Sequence, residues 1–568
     1  MFSATLSSAS VRLRAACALL LPLGLLLAGG AGAARAEGEA PRFVREGLWL
    51  PAETAPQEAR VNGRAAAVLR LPGGRGALLE APWYPGERIV ARWRAGGAER
   101  RAEAVAPPAP EALVWLSRPW PPGALLAEED TVTALAFSAD GGRLAAGTQQ
   151  GRLAVFDLAA GEIAWSANRP GRVIKHLLFD DAGRRLYVGE QGPEGRVAGY
   201  DPSAGSEPLW TFDGADVLGT SPPEEPGRYG WVSYPGAYRL AAEGADVLAA
   251  LSRSWSENGV RRARAVLVRL DGASGRVRWR YPAGEPFPAV ITWFDAADGR
   301  AVLATQLPHG ARSDSAADPA ADSRSRLRVL ELAAGRETLA EPVAPLAPYP
   351  VARFWRGLAL RPGGEAFAAA SEDGRAWIYR RAETGWRIAW QQALVEPIRL
   401  GTVTLTAAQG TLAATSAQVL VATGPTYAPQ EYGGTGEPAA SHPRSNTVFA
   451  FDWSGKPLWI WRMDNDLQGL LCDGPGRWAV LALGGEQPQP PGRFQGLVLL
   501  RTEPDAERGP GSVRGPGRVA FRFALSGAVA YGALAMTRDG RWLALAETPR
   551  AVAGDARRPG ERRIWVLR

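Results

Sequence analysis

The chain has 568 residues, 46% hydrophobic and 22% charged, which supplies enough apolar material for a sizeable core and excludes global disorder. The formal net charge of +7 is almost wholly arginine, since Lys175 and Lys456 are the only lysines, and the arginines are scattered among acids without a run of like charge, so no nucleic-acid surface is signalled. Two cysteines, Cys17 and Cys472, are too few for a disulfide framework or a cysteine-rich zinc site.

Residues 1–36 read as a secretory signal peptide. Arg12 and Arg14 form a basic start, Ala15 to Ala28 is a short apolar segment, and Ala34-Arg35-Ala36 has the small-residue spacing of a cleavage site. Cleavage predicts a periplasmic or secreted protein without membrane insertion, and leaves Cys472 as the single cysteine. Residues 37–106 then predict a small β-sandwich-like domain, because runs such as Arg88-Ile89-Val90-Ala91-Arg92-Trp93-Arg94 alternate and are separated by Gly-rich turns. Residues 107–111, with Pro107-Pro108-Ala109-Pro110, read as a stiff linker.

From 112 to 568 the chain repeats. One element is a hydrophobic strand, an Asp/Gly turn and a second hydrophobic strand, as in Leu135-Ala136-Phe137-Ser138-Ala139-Asp140-Gly141-Gly142-Arg143-Leu144 and again at Leu177–Leu186. Asp and Gly suit such turns because one bonds its own backbone and the other accepts positive φ. The other element runs from a strand-ending Asp through Gly to Trp: Asp157, Gly161, Trp165; Asp201, Gly205, Trp210; Asp271, Gly275, Trp279; Asp452, Gly455, Trp459. Together they give four strands per repeat, at the period of a β-propeller blade. A lone four-stranded sheet leaves two apolar faces bare, and radial stacking buries them. Strand starts near 132, 173, 231, 289, 354, 402, 467 and 529 predict an all-β fold of about eight blades, or seven if the strand near 402 is misread. The last repeat ends on a third strand, so Leu113-Val114-Trp115-Leu116 is expected to supply its fourth and close the ring.

These repeats resemble two related families. The Phe137-Ser138-Ala139-Asp140-Gly141 turn resembles that of WD40-like repeats, and Gly151–Trp165 is similar to the blades of quinoprotein (PQQ-like) propellers. The resemblance implies the fold over roughly 112–568 and leaves function open, because both families hold enzymes and binding modules. Quinoprotein enzymes commonly hold their quinone beside two adjacent cysteines; this chain has no such pair, so no PQQ and no other cofactor is expected.

Candidate residues fall in two places. Lys175 and His176 lie in a predicted inner strand and are channel candidates. Long insertions at 253–262, 306–324, 423–445, 484–494 and 548–561 all join second to third strands, which emerge on one propeller face and build a binding surface there. His309, Tyr427, Tyr432, His442 and Arg444 are the binding-face candidates, tyrosine and arginine being favoured at interface centres. No nucleophile elbow, phosphate loop or metal-protease stretch is present, so no catalytic residue is assigned. The expectation is an exported scaffold that binds a protein partner. The alternative is a PQQ-like propeller enzyme, or a cofactor or metal binder, working at the channel mouth.

Overall fold

A computed structural model describes residues 42–44, 47–50, 59–61, 64–70, 77–80, 88–95 and 98–105, and from 130 onward all but 221–233, 258–259, 308–324, 347–348, 350, 402, 408–409, 428–439, 486–492, 503–517, 550–561 and 568. The leader, the linker and the strand expected at Leu113–Leu116 lie outside these residues, as do His309 and Tyr432. No described helix is long and apolar enough to cross a membrane.

The N-terminal strands form one seven-stranded antiparallel path, in the order Arg42–Val44, Gly47–Leu50, Ala77–Glu80, Arg64–Arg70, Ala59–Val61, Arg88–Ala95 and Ala98–Val105. The alternation read in the sequence sets its faces: Ala91 and Trp93 are buried while Arg92 and Arg94 are exposed.

The rest is a propeller. The described strands make successive antiparallel sheets over 132–168, 173–213, 236–281, 290–343, 358–393, 411–462, 467–524 and 528–567. The second and third are joined by a single pairing, Gln191 with Gly236, and the last has three described strands. In each sheet the first strand is innermost and the chain steps outward. The innermost strands neighbour one another in order: Val132–Phe137, Val173–Phe179, Gly236–Glu243, Val290–Ala297, Leu358–Leu360, Thr411–Ala414, Leu467–Cys472 and Ala528–Met536. Ala528–Met536 lies beside Val132–Phe137 again, so the described strands run full circle.

The core is the stacked faces of adjacent blades. Ala145, Leu153 and Val155 of the first blade bury against Ile174, Leu177, Val188 and Tyr200 of the second. Each such leucine, isoleucine or valine contributes about 1.5–3 kcal/mol by leaving water. The Asp-Gly-Trp spacing has a physical cause that crosses blades. Trp165, Trp210 and Trp279 donate their indole N–H to the carbonyls of Pro202, Gly272 and Leu332, each in the following blade, at 3.0, 3.0 and 2.9 Å. The ring then covers the next blade's turn glycine: a Cβ on Gly275 would fall 2.4 Å from Trp210, and one on Gly455 would fall 2.2 Å from Trp390. Glycine is required there because the neighbouring tryptophan occupies the space of a side chain.

Two readings are corrected. The innermost strand of the sixth blade is Thr411–Ala414, not the segment near 402. Val403–Ala407 instead pairs with Ile398–Leu400 and with Thr426–Tyr427, forming a separate three-stranded sheet. Its alternation suits either role, and only the pairing across the insertion decides between them. Of the segment 253–262, read as a loop, residues 253–257 and 260–262 extend the third blade as long paired strands, Asp246–Glu257 against Val260–Asp271, with Trp255 opposite Arg262.

Candidate functional site

Strand direction decides which features share a face. Each innermost strand starts at the face where second-to-third-strand connections emerge, so its first residues stand at the channel mouth on that face. Four of these strands carry an extra residue at the same point, between Val132 and Ala134, Ile174 and His176, Ala237 and Arg239, and Ile291 and Trp293, and a fifth does so between Leu467 and Gly469. A bulge turns side chains that would point into the sheet toward the axis. This brings Lys175, His176, Tyr238, Arg239 and Trp293 together around one end of the channel.

The fifth and eighth blades complete the group. Arg356 precedes Leu358–Leu360 with φ of 56°, a left-handed conformation that costs a non-glycine residue about 1–2 kcal/mol. That conformation aims its guanidinium across the channel, where Nη1 donates to the carbonyl of Gln468 at 2.7 Å and the group lies 4.4 Å from the Tyr531 ring centre. Gly532 leaves room for it, since a Cβ there would come 2.9 Å from Arg356 Nη2. Trp355 donates its indole N–H to the Tyr531 hydroxyl. Arg239 stacks 3.9 Å from the Trp293 ring centre and pairs with Asp295 at 3.7 Å. Asp295 also accepts the Leu360 N–H at 2.8 Å, which ties the fourth blade to the fifth.

Burial and like charge set the protonation here. Burial, then the charges of Arg239 and Arg356, lowers the His176 pKa to about 3, so the imidazole is neutral at physiological pH. Burial also lowers Lys175, whose ammonium lies 5.6 Å from the Tyr238 ring centre, and raises Tyr238. Burial raises Asp295 while Arg239 and the backbone N–H groups oppose it.

The binding-face candidates separate from this group. His442 is 2% exposed rather than displayed. Its Nε2–H donates to the Glu396 carbonyl at 2.9 Å and its Nδ1 accepts the Arg444 N–H at 3.1 Å, which fixes the tautomer. Its own N–H donates to Thr426 Oγ1 at 2.7 Å. Arg444 has an exposed side chain whose Nη1 reaches back to the Leu394 carbonyl at 2.8 Å. Both residues therefore anchor the extra sheet to the chain entering the sixth blade. Tyr427 ends that sheet, opposite Thr406. Within that sheet Leu405 and Ala407 are buried and Leu400 is 49% exposed. Replacing His442 with alanine should cost about 2 kcal/mol, because the Glu396 carbonyl and the Arg444 N–H both lose their bonds to a buried imidazole. Urea denaturation measures this, and a loss below about 0.5 kcal/mol would deny the anchor.

Sequence reasoning found Lys175 and His176 but missed Arg239, Trp293, Asp295, Trp355, Arg356 and Tyr531. The available signal was positional, since aligning innermost strands on their bulges places Ala134, His176, Arg239, Trp293 and Gly469 in one column. On the opposite face, a cleft of about 530 Å³ lies between the turns of the first two blades and is lined by Asp140, Asp157, Asp201, Arg143, Arg184 and Arg185.

No family model matches the chain, and no curated protein matches it. Solved structures similar to it include BamB from Moraxella catarrhalis, 14% identical, covering 73% of this chain and 93% of that one at a TM-score of 0.37. Sqt1 from Saccharomyces cerevisiae is 10% identical, with coverage of 77% and 95% and a TM-score of 0.45. The C-terminal WD40 domain of Sif2 is 10% identical, with coverage of 77% and 96% and a TM-score of 0.43. At this overlap the likenesses say nothing of a site. The closed order of innermost strands, the outward-stepping antiparallel sheets and the Asp/Gly turns are this chain's own, and they give it a WD40-like β-propeller fold.

Proposed function

We propose that the protein is an exported protein-binding scaffold whose working face carries the channel mouth and the extra sheet of the sixth blade. The observation that supports this reading is the anchoring of that sheet. An insertion that is merely tolerated needs no buried histidine bonded through both ring nitrogens, whereas Leu394, Glu396, Thr426, His442 and Arg444 hold this one in a fixed position. Rigid placement of a surface lowers the ordering cost of binding. The long paired strands of the third blade project from the same face and are also held, with Arg253 stacked 4.5 Å from the Trp255 ring centre and bonded to the Leu218 carbonyl at 3.3 Å. Export rests on the leader read in the sequence, and N-terminal sequencing of the protein from its native cell, giving Glu37 first, tests it.

Site-directed photocrosslinking tests the binding face. A benzophenone amino acid at Leu400 should trap one defined protein in native cells, while the same probe at Ala159, on the opposite face, should not. Deleting residues 428–439 should abolish the Leu400 product without changing the melting temperature. Trapping the same protein from Ala159, or no protein from Leu400, would overturn the assignment of the face.

A further inference from the structure

The channel mouth gathers more positive charge than its carboxylates balance. Arg239 and Arg356 converge there, and among the described residues Asp295 is the one carboxylate that pairs with either of them. Beyond the dominant effect of burial, Arg356 opposes the charge of Arg239, and both oppose protonation of His176. Bringing two half-buried guanidinium groups together is unfavourable unless something compensates. The strained backbone at Arg356 shows that the convergence is built rather than incidental. Two enclosed polar atoms at this spot, Nδ1 of His176 and Nε of Arg239, have no hydrogen-bond partner among the described residues. A water molecule satisfies a hydrogen bond but does not neutralise a pair of like charges. An anion does both.

We propose that the channel mouth is a carboxylate-binding site, in which Arg239 and Arg356 hold the anion from two blades, His176 donates to it through Nδ1–H, and Trp293 and Tyr531 wall it. The planar forks of two arginines suit a planar carboxylate. Asp295 already balances part of the charge, so the surplus suits a carboxylate better than a doubly charged phosphate. The carboxylate comes from a free small acid or from an acidic side chain of a bound polypeptide, and the site recognises the same group in both. The proposal is independent of the extra sheet's role and survives if that sheet binds nothing.

The chain contains three histidines, so the imidazole region of its proton NMR spectrum is sparse, and His176→Gln assigns the signal of interest. Succinate is titrated into the purified protein in one arm and acetyl-triglutamate amide in another, with sodium chloride of matched ionic strength and inorganic phosphate as controls. A saturable shift of the His176 signal by succinate supports the site with a free acid as its source. A shift by the peptide alone supports it with a polypeptide as its source. Arg356→Gln should then weaken the shifting ligand about tenfold or more, the loss expected for one charge-assisted contact. Arg356 also holds the Gln468 carbonyl, so the unsubstituted protein carries the main test. No shift by either carboxylate, or an equal shift by chloride or phosphate, overturns the proposal.

Discussion

Replacing Glu547 with leucine should destabilise the protein by about 3–5 kcal/mol, the largest effect expected of any single change considered. Glu547 is 3% exposed and is the penultimate residue of the second strand of the last blade. Its Oε1 accepts the Ser526 hydroxyl at 2.7 Å and the Gly527 N–H at 2.6 Å, and its Oε2 accepts the Trp565 indole N–H at 2.8 Å. All three partners are donors, and an ionised carboxylate is the side chain that only accepts. Leucine of similar volume leaves the buried amide and indole unpaired. Glutamine should fall between the two, because its amide N–H₂ has to face a donor on one side. Denaturant melts of the three proteins measure the order, and a leucine variant within about 1 kcal/mol of the parent would refute the account.

Gly151→Ala should cost about 3 kcal/mol or more, whereas Gly161→Ala should cost about 1–2 kcal/mol. Both glycines have positive φ, 81° and 73°, so both substitutions meet the same backbone strain. They differ in surroundings. A Cβ on Gly151 would lie 2.0 Å from the Arg169 carbonyl oxygen, which is backbone and cannot rotate away, while a Cβ on Gly161 meets nothing within 4 Å. The Arg169 N–H also bonds the Gly151 carbonyl at 2.9 Å, so the clash would break the closure between the third and fourth strands of the first blade. Equal costs for the two variants would show that strain alone governs these turns.

The fold was legible where local chemistry repeats. Asp157, Asp201, Asp271 and Asp452 were singled out as turn residues, and each accepts N–H groups of its own turn in the structure. Trp165, Trp210 and Trp279 were legible by spacing, though their bonds to the following blade were not, because a spacing within one repeat cannot show what lies across the gap to the next. The sixth blade was misread for the same kind of reason. Val403-Thr404-Leu405-Thr406-Ala407 has the alternation of an innermost strand, and its true partner, Thr426–Tyr427, lies beyond an entire hairpin. His442 was read as displayed because it sits in a Gly- and Pro-rich insertion. Composition marks a loop as irregular without showing which of its residues turn inward. The channel group was half legible: Lys175 and His176 share one strand, whereas Arg239, Asp295 and Arg356 meet them only when other blades take their places around the ring.

The circular order of innermost strands sets a timetable for synthesis. The flank of Val132–Phe137 is covered by Ala528–Met536, and the Asp130 carbonyl accepts from Arg562 Nε at 2.8 Å. The first blade made is therefore finished by the last, after some four hundred further residues, which takes on the order of tens of seconds at ordinary translation rates. Through that interval an alanine-rich apolar flank, with Leu135, Ala146 and Ala154 at its centre, stands without its final neighbour. A nascent chain cut short anywhere before the last blade would retain that adhesive surface for life. A holdase that shields the flank should improve yield most for truncated chains and least for complete ones.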